Sequence, residues 1–513
     1  VNYINGVLGK EDNKHRDLEV DMQQMWDDDL EDPEVWDSSL DITSLQSDYD
    51  AGVSPQCVLR AIYERIEAYQ EVQPSVWIHV RPFQEVMDAA AEILSRWPDP
   101  ENRPSLWGIP FSVKDSIDVA GIPTTGSCPP LAFTPDISAP VYQRCVDAGA
   151  LFVGKTNMEQ LATGMTGCRS PFGTLHSTFS ESHIVGGSSS GSAVTVSQGL
   201  VSFSLGSDTA GSIRIPALFN GIVGLKPTKG TVSARGVMPA CLHQDCVSFL
   251  ALSIGDAEKV LDVCQGFDKH DFFARLPPNV GKISQITDSN HRFRFGIPPA
   301  SVLRVCSPHY GAEFARLVSI MAENGGELIE MDWAPFSAAN KLLYEGTFVL
   351  ERLTMFPEGW LESNKHLLHP VIRQVFENAL ARNSSAVDVF KDLQKQAKYK
   401  RAVEETLKHD EANVMTVMVV PTAPYHPTIQ EVELDPIGVN VELGTFAHCA
   451  NVLDLAAVAL PCSTYEIDEM RKGSKIRLPF GVTILSHAGL DKQLLRLAAR
   501  LEDILRDLDY SSD

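Results

Sequence analysis

The sequence predicts an α/β fold, a sandwich of helices around a mostly parallel or mixed β-sheet. Three observations predict it. Apolar runs of strand length recur along the chain, among them Gly108–Asp115, Leu151–Val153, Val414–Val420 and Leu478–Leu485. Segments with apolar residues at helical spacing lie between them. Glycine and proline punctuate the junctions. At 513 residues the chain is long enough to bury one large core.

The N-terminal stretch is acidic. Residues 1–50 carry 15 acidic and 3 basic side chains, a net of −12, which is half of the −24 of the whole chain. Residues 1–40 therefore read as an acidic arm, with Trp26–Asp32 (WDDDLED) as a solvated stretch, a surface helix or a tail for a partner. The overall charge argues against a nucleic-acid partner. Ten scattered cysteines with no CxxC pair suit a reducing, cytoplasmic setting and argue against zinc. Neither a secretory leader nor a membrane span is expected, because no apolar run approaches ~18 residues.

The elements follow in order. Ser54-Pro55 caps a helix whose Val58, Ile62 and Ile66 share a face. A second helix runs from about Pro82 to Leu94. Gly108–Asp115 is a short buried strand that ends on Lys114, an unusual place for an ammonium because burying one is costly. Pro140–Ala148 is a helix stopped by Gly149, and Leu151–Val153 a strand. Ala193–Leu205 is apolar enough for a buried helix and strand, while Gly224–Thr228 and Gly236–Pro239 read as turns. Phe293–Gly296 is strand-like and Ala312–Ala322 helical; residues 337–410 are largely helical. After the Val414–Val420 strand, Asn451–Leu460 reads as an apolar helix, Leu478–Leu485 as a core strand and Gln493–Leu508 as an amphipathic helix.

One motif misleads. Residues 149–156 (GALFVGKT) fit GxxxxGK[ST] letter for letter. A phosphate cradle needs a flexible loop between its glycines, whereas this text has a strand there. Lys155 is expected to have a structural or surface role.

The chemistry concentrates in Gly186–Pro216. Two serine-bearing glycine loops, GGSSSGS at 186–192 and DTAGSIR at 208–214, flank an apolar segment. Glycine lets backbone N–H groups crowd around a small group, which is what a developing oxyanion requires. A serine nucleophile such as Ser212 needs a positioned base. No G-x-S-x-G elbow frames it. Histidine is absent from residues 100–175, although His176 and His183 lie closer to the loops. A lysine base must be neutral at working pH, so its pKa must fall by roughly 3 units, about 4 kcal/mol. A buried strand-end lysine such as Lys114 meets that demand, and spacing alone leaves the choice of base open.

Gly108–Asp115, Gly186–Ser192 and Asp208–Pro216, in that order, resemble the amidase signature family. The resemblance spans about Asp41 to Leu508, so residues 41–513 are expected to form one amidase-signature domain with an α/β/α sandwich around a large mixed sheet. It implies a Ser–cis-Ser–Lys triad: Lys114 as base, Ser188 as the bridging serine beside a cis peptide, and Ser212 as nucleophile. It further implies an oxyanion hole from the N–H groups of Thr209, Ala210, Gly211 and Ser212, and an Asp208–Arg214 pair bracing the loop. No metal or organic cofactor is implied. The implied partner is a small-molecule amide, with no membrane and no nucleic acid, and a homodimer is the assembly to test.

Lys155–Gly164, Arg169–Gly173, Gly236–Cys241, Asp245–Ser248 and Leu343–Gly346 with Glu351-Arg352 sharpen the likeness to the allophanate hydrolase branch. There a tyrosine and an arginine eight residues later hold a substrate carboxylate, which Tyr344 and Arg352 match in type and spacing. On a continuous helix that spacing would place both on one face, and arginine suits bidentate carboxylate binding. Gly164 matches a glycine whose backbone lines that pocket. Ile213 and Gly221, both near Ser212, depart from the expected glycine and asparagine, which bears on pocket size. The further decarboxylating domain usual in that branch finds no room in this sequence, so either a domain excised from a longer protein or a stand-alone amidase is expected. The resemblance implies deamination of allophanate to N-carboxycarbamate and ammonia. Hydrolysis of another small carboxylated amide or ureide, a glutaminase-type amidotransferase subunit, and a non-catalytic scaffold using the acidic arm are the alternatives.

Overall fold

The computed structural model describes residues 36–276, 292–408, 414–468 and 475–510. The chain divides into units Val1–Ser38 and Ser39–Asp513, and every element named below lies in the second. The Trp26–Asp32 stretch, and the expected acidic arm as far as residue 35, lie outside the described residues.

The strands are β1 (Trp77–Val80), β2 (Pro110–Lys114), β3 (Leu151–Thr156), β4 (His176–Ser177), β5 (Ser180–Ile184), β6 (Phe203–Asp208), β7 (Val223–Lys226), β8 (Cys246–Ala251), β9 (Phe293–Gly296), β10 (Gly326–Leu328), β11 (Met415–Pro421), β12 (Ala456–Asp468) and β13 (Lys475–Ser486). Eleven of them form one sheet in the order β1-β3-β2-β6-β8-β7-β12-β13-β11-β9-β10, and β4 pairs with β5 in a separate ribbon. The sheet is mixed: β3, β2 and β6 run parallel, as do β11, β9 and β10, while the strands between are antiparallel. Every residue of β2, β3, β6, β7, β8 and β11 is buried. Strands covered by helices on both faces lose the alternation of a half-exposed sheet and read as continuous apolar runs.

The helices follow their local signals. Ser54 Oγ accepts the Cys57 N–H at 3.1 Å, Pro55 opens the helix Pro55–Gln70, and Val58, Ile62 and Ile66 are buried. The helices Phe83–Arg96, Pro140–Asp147, Pro308–Glu323 and Asp491–Tyr510 lie where periodicity places them. Residues 334–406 are a succession of helices broken by short turns.

Two readings need correction. Asn451–Leu460 is not a helix: helical geometry ends with Cys449–Val452, and Ala456 begins β12, between β7 and β13. From Leu455 to Leu460 the run (LAAVAL) has no polar position and so no period, and there helix and buried strand look alike in sequence. Gly224–Lys226 is likewise no turn but part of β7, and its Gly224 is required because a Cβ would lie 2.8 Å from that of Ala217 in the helix packed above. The strand β8 has no counterpart in the sequence reading.

Candidate active site

Three adjacent strands carry the chemistry to one end of the sheet. β2 ends at Lys114, β3 ends at Thr156 beside it, and β6 ends at Asp208. Two lysines are buried there, and their surroundings separate them. Lys155 forms an ion pair with Asp115 at 3.0 Å and donates to Pro123 O and Thr124 Oγ1, both at 2.9 Å. Its role is structural, and GxxxxGK[ST] here is strand text. Lys114 is 0% exposed and has no carboxylate within ion-pair distance among the described residues. Its Nζ meets Ser188 Oγ at 2.7 Å and Ser207 Oγ at 3.1 Å. Burial draws its pKa down to about 7, against the opposing pull of Asp208 and Asp245.

The Gly187–Ser188 peptide is cis. Gly187 is packed so closely that a Cβ would lie 2.7 Å from Glu159 Cγ and 2.9 Å from the Gly167 nitrogen. Ser188 is thereby presented to Lys114 from below the loop, its carbonyl accepting the Glu159 N–H at 3.0 Å.

The loop 209–213 joins β6 to the helix Arg214–Phe219. Asp208 is its hub. One carboxylate oxygen accepts the Gly211 N–H at 2.9 Å and Arg214 Nη2 at 2.9 Å; the other accepts Ile213 N–H at 3.2 Å and Arg214 Nε at 3.0 Å. Burial would raise the Asp208 pKa, but Arg214 and Lys226 outweigh it and hold it at about 2. Arg214 continues to Ala447 O and Asn451 Oδ1, each at 2.9 Å, and Asn451 Nδ2 returns to Asp208 O at 2.7 Å. Thr209 Oγ1 is bound by Asp245 at 2.5 Å.

These bonds decide which N–H groups stay available. Of the four N–H groups expected to line an oxyanion hole, that of Gly211 is committed to Asp208, while those of Thr209, Ala210 and Ser212 have no partner among the described residues. Ser212 is 2% exposed, and its hydroxyl has no hydrogen-bond partner among the described residues. Lys114 and Ser188 are brought together; no hydrogen bond joins Ser188 to Ser212.

Gly164, Tyr344 and Arg352 also converge. Arg352 is 1% exposed. Its Nη1 donates to Ala162 O at 3.2 Å and Thr163 Oγ1 at 3.0 Å, and its Nη2 to Tyr344 OH at 3.3 Å. Its Nε is buried with no partner. Gly164 has φ +147°, and a Cβ there would lie 2.6 Å from both Arg169 Nη1 and Glu159 Oε2. The shared-face argument fails in detail: Tyr344 ends the helix Ala334–Tyr344 and Arg352 sits on a separate 3₁₀ helix, Phe348–Met355. The two meet because the chain turns between them.

Ile213 and Gly221, the two departures from the family pattern, are each closely packed. Ile213 is 0% exposed and packs across Gly206, whose Cβ would lie 2.7 Å from Ile213 Cδ1; a Cβ on Gly221 would meet the Phe179 ring at 2.9 Å. Sequence reasoning quoted Asp245 only as part of Asp245–Ser248, with no role for it, and missed Asn440, Asn451 and His448 as site residues. Their side chains reach the site through tertiary contacts that no local spacing records.

The amidase family model matches residues 58–495. The chain is 36% identical over 465 residues to the urea amidolyase of Saccharomyces cerevisiae, a match covering 88% of this chain and 24% of that protein. To the urea amidolyase of Lachancea kluyveri it is 36% identical over 403 residues, 77% of this chain and 20% of that one. The chain thus spans about a quarter or less of the length of these relatives. Kluyveromyces lactis allophanate hydrolase superposes with a TM-score of 0.78 at 31% identity, covering 91% of this chain and 72% of that one.

Proposed function

The chain belongs to the amidase-signature family and is a hydrolase related to the allophanate hydrolase portion of urea amidolyase; from that premise we propose that it deaminates allophanate. Water and allophanate, ⁻O₂C–NH–CO–NH₂, give N-carboxycarbamate and ammonium. Neutral Lys114 takes the Ser188 proton as Ser188 takes that of Ser212. The Ser212 oxygen then attacks the amide carbonyl, and the N–H groups of Thr209, Ala210 and Ser212 receive the oxyanion. Losing one such donor typically costs ~10²–10³ in rate. The collapsing intermediate expels ammonia, protonated back through Ser188, and water cleaves the acyl-enzyme. Tyr344 and Arg352 hold the substrate carboxylate, with Arg352 Nε as the donor left unpaired for it.

The observation that carries this reading is the 2.7 Å contact of Lys114 Nζ with Ser188 Oγ, made by a buried lysine with no carboxylate within ion-pair distance among the described residues. No helix of the described residues is long and apolar enough to cross a membrane, and ten unpaired cysteines fit a reducing compartment. The test is ammonia release from allophanate, glutamine and a neutral amide, with no partner added. Allophanate is expected to react and glutamine not. Ser212→Ala is expected to be inactive with an unchanged circular dichroism spectrum; normal turnover by that variant refutes the assignment.

A further inference from the structure

His448 is a buried imidazole for which neither the fold nor the triad has a use. It lies just before the helix Cys449–Val452, and only 5% of it is exposed. The surrounding segment reaches the loops that carry Gly164 and Ser212 and the helix that ends at Tyr344. Asn440 Oδ1 accepts the N–H of Met165, next to Gly164, at 2.8 Å. Ala447 carries the carbonyl that binds Arg214, and its methyl lies 2.9 Å from where a Cβ on Gly211 would stand. The His448 ring itself packs on the Tyr344 ring, centroids 5.1 Å apart and planes tilted by 50°.

The two ring nitrogens differ. One is bound to the Asn340 backbone carbonyl, while Nε2 is buried with no partner. Burial, then Arg214 and Arg352, hold the ring neutral, with a pKa of about 3. A neutral imidazole that donates through Nδ1 can only accept through Nε2. Neither guanidinium satisfies it, since the bonds of Arg214 go to Asp208, Ala447 and Asn451, and those of Arg352 to Ala162, Thr163 and Tyr344. A buried acceptor left bare costs about 1–3 kcal/mol.

Two buried atoms flanking Tyr344 are therefore left without a partner among the described residues, the donor Arg352 Nε and the acceptor His448 Nε2. A carboxylate bonded directly to an N–H presents the complementary pair. We propose that His448 Nε2 accepts the central N–H of a ureide whose carboxylate is held by Arg352, so that the site selects N-carboxylated ureides over carboxylated amides with carbon at that position. This rests on the allophanate reading above and adds to it a residue that reads the nitrogen.

Gly444 supplies an independent lever. Its φ of −75° is open to any residue, yet a Cβ there would stand 2.1 Å from His448 Cε1 and 2.4 Å from Nε2. Alanine at 444 displaces the imidazole while leaving its chemistry intact.

The experiment compares kcat/KM for ammonia release from allophanate and from malonamate, which has CH₂ in place of the central NH. Wild type, His448→Phe and Gly444→Ala are measured, with thermal melts alongside. Each variant is expected to lose about 10- to 100-fold on allophanate, the worth of one buried hydrogen bond, and to keep or gain activity on malonamate. Equal losses on both substrates overturn the proposal while the allophanate reading stands. Failure of the wild type on allophanate, with a neutral amide still cleaved, overturns that reading and this inference with it. If His448→Phe does not fold, the ratio measured with Gly444→Ala decides.

Discussion

On the proposed mechanism, the amine of Lys114 sets the pH at which hydrolysis proceeds. Its surroundings are hydroxyls, and burial lowers its pKa from 10.5 to about 7. That difference is a preference of about 5 kcal/mol for the neutral amine. The neutral form is the one that can take a proton from Ser188. With a midpoint near 7, roughly a tenth of the enzyme is competent at pH 6, half at pH 7 and nine-tenths at pH 8. Plotted as kcat/KM for allophanate between pH 5.5 and 9.5, activity should rise through one ionisation and level off above pH 8. The same shift has a stability consequence of definite sign. The folded pKa lies below the unfolded one, so the native state binds fewer protons. The penalty of Lys114 is full below pH 7 and fades as pH rises toward 10.5. Lys114→Met should thus be inactive yet melt above wild type at pH 6, with the gap closing by pH 10. The hydroxyls of Ser188 and Ser207, left without their donor, offset part of the gain. A pH–rate profile that is flat from 5.5 to 8.5, or that turns only above pH 10, would refute the assignment of Lys114 as base.

Two further outcomes are expected. Arg352→Gln should raise KM for allophanate by about 100-fold, the scale of one charge-assisted pair, while leaving a neutral amide within threefold; steady-state kinetics on both decide it. Asp256, buried beside Asp41 and accepting the Ile42 N–H at 3.0 Å, is pushed up to about 8 by burial and then by Asp41. A carboxyl with a raised folded pKa stabilises most below its unfolded value near 4 and loses that contribution as pH climbs through 8. Asp256→Asn should remove this slope, so that the difference in Tm between variant and wild type grows in the variant's favour from pH 5 to pH 9.

What the sequence made legible was local. A serine at a cap, a proline after it and apolar residues four apart fix the helix Pro55–Gln70 without help from the rest of the chain. Lys114 stood out because an apolar strand seldom ends in a charge. Long-range contacts were not legible. Nothing in the text around Gly211 says that its N–H is spent on Asp208. Nor does the spacing of Tyr344 and Arg352 reveal that they sit on two separate helices brought together by the turn between them. β12 was misread for a related reason: buried on both faces at its start, it shows no period, and only its place between β7 and β13 makes it a strand. His448 was invisible because its interest lies in a bond it does not make.

The tie from Asp208 through Arg214 to Asn451 has a bearing on synthesis. The nucleophile loop is held in shape by a residue 243 positions later in the chain. While the ribosome is still making that intervening stretch, Arg214 has only half its anchors and the β6 end of the sheet lacks β7's partner β12. A nascent chain stalled before residue 445 would carry Lys114, Ser188 and Ser212 without the Ala447 and Asn451 anchors of the 209–213 loop, and on the proposed mechanism it is expected not to cleave an amide.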